Sequence, residues 1–294
     1  AGADLRLAAL TAAIPGDLAV LDLTGDGYAD AVYFADLRGR VWRVDFDPSA
    51  VEVASLASGG ILADLGGDGI EGARRFFTSP DVSSVIEGGR RWLNVAIGSG
   101  NREMPLSDRT TRDRFYSLRD HEGLRRRDWS RTVPITEADL VDVTPDGGAG
   151  GVQAAVPAGA AGWLLRLESQ PGEKAISSSR TFDHTVFFPT FVPAARAIEE
   201  ACDGTVGYNL LYQVSVLDAR PGRHLAETAH EVDAGGLALR LGQPGIAPEP
   251  AFVFPATDRP APGDAPRPPP LCLVGVESCG SLGGAGPRRT YWRQ

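Results

Sequence analysis

The 294-residue chain reads as an all-β protein whose units repeat as in a propeller or a sandwich. Three observations carry that expectation. The 36 glycines and 22 prolines cut the sequence into short apolar runs, and such punctuation favours frequent turns over long helices. The runs are rich in β-branched and aromatic residues, as pleated strands require. Only ARAIEEA, residues 195–201, has a helical pattern, enough for a turn or two.

Taken in order, LAVLDL runs into an aspartate- and glycine-rich turn, and DAVYFAD and RVWRVDF follow with only a short LRG link between them. That stretch alternates and reads strand, turn, strand. RRFFTS, RWLNVAIGSG, RFYSLRD, GWLLRLE, HTVFFPTF and LLYQVSVLDA repeat the pattern. Counting generously gives about fifteen strands, roughly four four-stranded blades, fewer than most closed propellers contain. The chain is therefore expected to be part of a propeller. Residues 1–253 form its body, 254–270 are a Pro-rich loop without hydrophobic periodicity, and 271–294 supply strands that return to it.

Charge excludes some partners. Acidic residues exceed basic ones by 38 − 29 = 9, and no basic stripe carries interleaved aromatics, which argues against nucleic acid. Arg74 with Arg75, and Arg125 to Arg127, read as solvated turns or rim contacts. The longest apolar stretch, AAVPAGAAGWLL from residue 154, is interrupted by Pro157 and by glycines, so no transmembrane segment is expected. The chain begins at Ala1 without a charged-then-apolar leader, so a secretion signal is either removed or outside this segment.

Cys202, Cys272 and Cys279 allow one disulfide in any of three pairings, and none of their spacings resembles a zinc site.

The strongest chemical signal is DLTGDGYAD, residues 22–30. Asp22, Thr24, Asp26 and Asp30 occupy positions 1, 3, 5 and 9 of a calcium-type loop, Gly27 takes position 6, and Tyr28 offers its carbonyl from position 7. A hard cation wants six to eight oxygens, and this spacing supplies most of them. Position 12, where an EF-hand carries glutamate, is Tyr33, so the loop is strand-flanked. A plain Asx turn is the alternative. Thr24 stands where Asp or Asn would be the stronger ligand. DLGGDGIEG from Asp64 and DVTPDGGAG from Asp142 lack ligands at key positions and read as plain turns.

These residues carry a family resemblance. LDLTGDGYADAVYFADLRGRVWRVD, RRFFTSPDV, RWLNVAIGSGNREMPLSDRTTRDRFYSLRD, GEKAISSS with TVFFPTFVP, and CLVGVES with RTYWRQ together resemble, in the right order, the C-terminal propeller region of the type IV pilus assembly protein family PilY. The resemblance implies a modified β-propeller that lacks an upstream part of a longer protein. It implies export through the periplasm and outer membrane to the cell surface and pilus tip. There it would meet minor pilins and tip components, with a host or abiotic surface as a further contact. Pilus extension, twitching motility and surface attachment are the functions implied. A Ca²⁺ cofactor is implied on Asp22, Thr24, Asp26, Tyr28 and Asp30.

Two other classes compete. A quinone-cofactor dehydrogenase would need a tryptophan-floored pocket and a catalytic aspartate, whereas Trp42, Trp92, Trp129 and Trp163 read as packing residues. A glycan- or protein-binding module with purely structural calcium is the other. No GxSxG or HExxH motif is present, and His121, His184, His224 and His230 have no nucleophile near them in sequence, so no catalysis and no catalytic residues are expected.

Overall fold

The computed structural model describes residues 5–145, 154–194, 207–222, 225, 232–233, 236–254 and 270–281. Among them lie seventeen strands in four sheets. The first sheet is an antiparallel meander of β1 (Ala19–Leu21), β2 (Ala31–Ala35), β3 (Arg40–Phe46) and β4 (Ala57–Asp64). The second contains β5 (Asp81–Glu87), β6 (Arg90–Gly98), β7 (Arg114–Asp120), β8 (Val141–Asp142) and β9 (Gly162–Arg166). Its order is β5-β6-β7-β9-β8, and β8 pairs in parallel with β9. The third comprises β10 (Arg180–Phe182), β11 (Thr185–Pro193), β12 (Gly207–Ser215), β13 (Val232–Asp233) and β14 (Ala238–Leu241), in the order β10-β11-β12-β14-β13. β15 (Pro250–Val253), β16 (Leu271–Val274) and β17 (Glu277–Ser281) make the fourth.

Alternation along the strands explains how the sheets pack. In β2, Ala31, Tyr33 and Ala35 face a core shared with Leu93, Val95 and Tyr116 of the second sheet. Val32 and Phe34 face the other way, with Trp42 and Val44, beneath Leu5, Leu7 and Leu10. β11 is buried throughout, because Val186, Phe188 and Val192 meet the second sheet while Phe187 meets the fourth. Period-two side chains thus give a strand two cores. Phe115 stacks on Phe188 at 3.6 Å, and Phe188 on Tyr212 at 4.8 Å, joining the second and third sheets.

The GSG of residues 98–100 has a packing reason. A Cβ at Gly98 would lie 2.3 Å from the Ala175 Cβ, and one at Gly100 would lie 2.7 Å from Ile176 Cγ2. Segment 174–176 crosses there, bonded by Ala175 N–H to Ser99 O at 2.9 Å, and bridges through Lys174 to Phe191 of β11.

Several expectations need correction. RRFFTS is not a strand; Phe76 is buried from an extended loop that pairs with no neighbouring strand. The Asp64 loop contains one helical turn, Gly69–Gly72, rather than a simple turn. Arg74 is 3% exposed and hydrogen-bonded to Tyr116 and Glu137, so it is a core group and not a solvated one. Trp42, Trp92 and Trp163 are buried packing residues, as expected, and Trp129 is half-buried. The helical pattern at 195–201, Cys202, His224, His230, the Pro-rich residues 255–269 and the tail beyond 281 lie outside the described residues. Cys272 and Cys279 form a disulfide within the β16–β17 hairpin. No helix among the described residues is long and apolar enough to cross a membrane.

Candidate metal centre

The loop at 22–30 connects β1 to β2, and its ends are closed by the Asp30 N–H to Leu21 O bond at 2.8 Å. It is strand-flanked, as the sequence pattern requires. Asp22 is its hub. Oδ1 accepts from the N–H groups of Gly25 at 2.6 Å and Asp26 at 3.2 Å, and Oδ2 accepts from Gly27 N–H at 2.9 Å. The Thr24 hydroxyl points to the same Oδ1 at 3.5 Å. These bonds, that from Gly27 foremost, hold the Asp22 carboxyl below the usual range, because each favours the charged form.

The other candidate carboxylates bond to backbone N–H groups elsewhere in the loop. Asp30 Oδ2 accepts from Leu23 N–H at 2.6 Å and Thr24 N–H at 2.9 Å, and Asp26 Oδ1 accepts from Tyr28 N–H at 2.9 Å. Gly25 and Gly27 have φ of +78° and +90°, a region that side chains with a Cβ avoid. The Tyr28 side chain is 69% exposed, which leaves its carbonyl as the group the pattern uses. Three carboxylates, a hydroxyl and a backbone carbonyl are hard oxygens, the donor type Ca²⁺ takes and a soft metal does not, but among the described residues no three acidic, histidine or cysteine side chains are gathered as a metal site would hold them. The same carboxylates are also satisfied by backbone N–H groups, as in an Asx turn.

The echo at Asp142 is a plain turn where it is described. Asp142 Oδ1 accepts from Thr144 N–H at 3.1 Å and from the Thr144 hydroxyl at 2.6 Å, and Oδ2 pairs with Arg166 at 2.7 Å. Residues 146–150 of that motif lie outside the described residues.

One polar cluster was not legible in the sequence. Arg43, 1% exposed, donates to Asp45 and Asp120 at 2.7 Å each and to the Arg125 carbonyl at 2.6 Å. The Tyr33 hydroxyl donates to Asp120 at 2.8 Å, and Arg127 also pairs with Asp120. The Trp129 indole N–H donates to Asp45 at 2.9 Å. Of the expected solvated arginines at 125–127, Arg127 is therefore tied into a buried ionic network, while Arg126 remains outside and pairs with Asp47. Tyr33, the residue that replaces the EF-hand glutamate, belongs to this network, and burial pushes its phenol well above the ordinary value.

A solved structure, the crystal structure of the Pseudomonas aeruginosa PilY1 C-terminal domain, aligns with 91% of this chain at a TM-score of 0.61 and 16% identity. The fold is that of a PilY1 C-terminal domain. This chain spans 60% of the length of that PilY1 chain. No family model matches the sequence, and no curated protein does. The all-β, propeller-like architecture read from the sequence is thus the one observed, and within it the 22–30 loop joins the first two strands of the first sheet.

Proposed function

We propose that the chain is a non-catalytic, calcium-binding domain of the type IV pilus system. In this reading it acts at the cell surface with minor pilins and tip components, and supports pilus extension, twitching motility and surface attachment. The observation that supports it is the conjunction of a PilY1-like fold with hard-oxygen residues at calcium-loop spacing on its first connecting loop. Asp22, Thr24, Asp26 and Asp30 would hold the ion through side chains, and Tyr28 through its carbonyl. Bound calcium would draw those carboxylates together, neutralise them and tie β1 to β2.

A second reading is a glycan- or protein-binding module in which calcium is purely structural; the loop-internal bonds to the Asp22 and Asp30 carboxylates fit a structural role for this turn. A quinone dehydrogenase has less support, since Trp42, Trp92 and Trp163 are consumed in packing.

A calcium titration followed by thermal melting tests the proposal. Stabilisation should grow as RT ln(1 + [L]/Kd), about 2.7 kcal/mol at a hundredfold excess over Kd. Asp26→Ala should abolish that gain with little change in the chelated melt. Identical calcium responses in parent and variant would sink the site.

A further inference from the structure

Two carboxyl groups in the seam between the second and third sheets have no part in the 22–30 loop. Asp113, just before β7, is 1% exposed. Its Oδ1 accepts from the Ser99 hydroxyl at 2.8 Å, and its Oδ2 has no hydrogen-bond partner. Ser99 accepts from the crossing segment 174–176, which pairs through Lys174 with Phe191 of β11, so Asp113 is bonded to the residue that links the second sheet to the third. The charged groups facing it are the Lys174 ammonium, the Arg74 guanidinium and the Asp108 carboxylate. A buried carboxylate with one oxygen unpaired is costly in its charged form.

Asp81 begins β5, at one edge of the second sheet, and Thr181 lies in β10, at one edge of the third. The Thr181 hydroxyl donates to Asp81 Oδ2 at 2.6 Å across the seam. The residue is partly exposed, and burial still pushes its carboxyl up. Facing it are Arg180 and Glu249, which pair with each other at 3.1 Å. A charged Asp81 therefore competes with Glu249 for one guanidinium.

We infer that this seam is a pH-responsive joint, tightened in mildly acidic medium by protonation of Asp81 and Asp113. Burial is the leading cause at both sites and pushes each carboxyl up to about 6, from 3.8. The folded state then holds more protons than the unfolded state between about pH 4 and 6. Stability from these groups is fully present below that window and is lost as pH rises through it. Each group contributes up to about tenfold per pH unit in the unfolding constant. Glu173, also buried and also pushed up, adds a slope of the same sign. It accepts from Ser169, Thr190 and Tyr212, so that part should survive removal of the aspartates.

The test is urea unfolding of the full chain between pH 4 and 7.5 for the parent, Asp81→Asn, Asp113→Asn and the double variant, with carbon NMR titration of the aspartate carboxyls in the parent. Asparagine keeps the shape of the neutral acid. Each single variant should be more stable than the parent at pH 7 and lose up to about tenfold per pH unit of the parent's slope, with the losses summed in the double variant. Two aspartate carboxyls should titrate near 6. An unchanged slope in the double variant, or aspartates that all titrate near 4, overturns the inference. The parent titration decides it even where a variant fails to fold.

Discussion

At the scale of single residues, the 22–30 loop rests on two glycines and one carboxylate. Gly27 meets no atom within 4 Å of a built Cβ, so space is not its constraint; its φ of +90° is. Gly27→Ala should cost about 1–2 kcal/mol from backbone strain alone, read as a lower urea midpoint with unchanged slope. Asp22 behaves oppositely to Asp81 and Asp113. Its folded pKa is depressed, so its stabilisation is present above the unfolded value and fades as acid protonates the folded form. Arg43 shows what a buried charge demands. Arg43→Met removes the guanidinium that Asp45 and Asp120 share, and should destabilise the chain by about 3–5 kcal/mol in denaturant unfolding. Asp120→Asn, which keeps the hydrogen-bonding shape, should cost less.

At the scale of elements, β2 and β3 were readable because alternation, aromatic content and the Gly39 turn agree. The Gly39 φ of +85° closes that hairpin. β5, DVSSVIE, was not readable, since polar residues occupy most of its positions and only Val85 is fully buried. RRFFTS failed in the other direction. Its phenylalanines suit a strand, but periodicity cannot distinguish a strand from a buried loop, and Phe76 is held by an edge contact with Tyr116 at 6.0 Å. The burial of Arg74 depends on Tyr116 and Glu137, 42 and 63 residues away, a distance over which local pattern says nothing. The candidate loop, by contrast, is local, and its strand flanks could be read directly, whereas the role of Asp22 as acceptor for three loop N–H groups came from the structure. The smallest sheet relies on a covalent link. With its ends seven positions apart in sequence, the Cys272–Cys279 bond should contribute about 2–3 kcal/mol. The Cys272→Ala, Cys279→Ala pair should lose that amount in denaturant unfolding, with the fourth sheet loosening first.

At the scale of the whole molecule, the four sheets pack in chain order, each to the next through an apolar core. The fold class was legible because that arrangement needs only short strands and frequent turns. The ionic contacts between sheets were not, because their partners are distant in sequence. Nor was the setting of Lys174. Its side chain is fully buried, and its ammonium donates to the carbonyls of Pro105 at 3.1 Å, Asp108 at 3.0 Å and Gly172. Three carbonyl oxygens are the ligands a protein commonly offers a dissolved ion, but here the positive charge is tethered to the main chain. No chelating agent can withdraw it, and no change in mineral content can dilute it. If the 22–30 loop holds calcium as proposed, chelation should leave hydrogen exchange around Lys174 unchanged while it speeds exchange in β1 and β2. The molecule thus carries its own internal standard for any measurement of ion dependence.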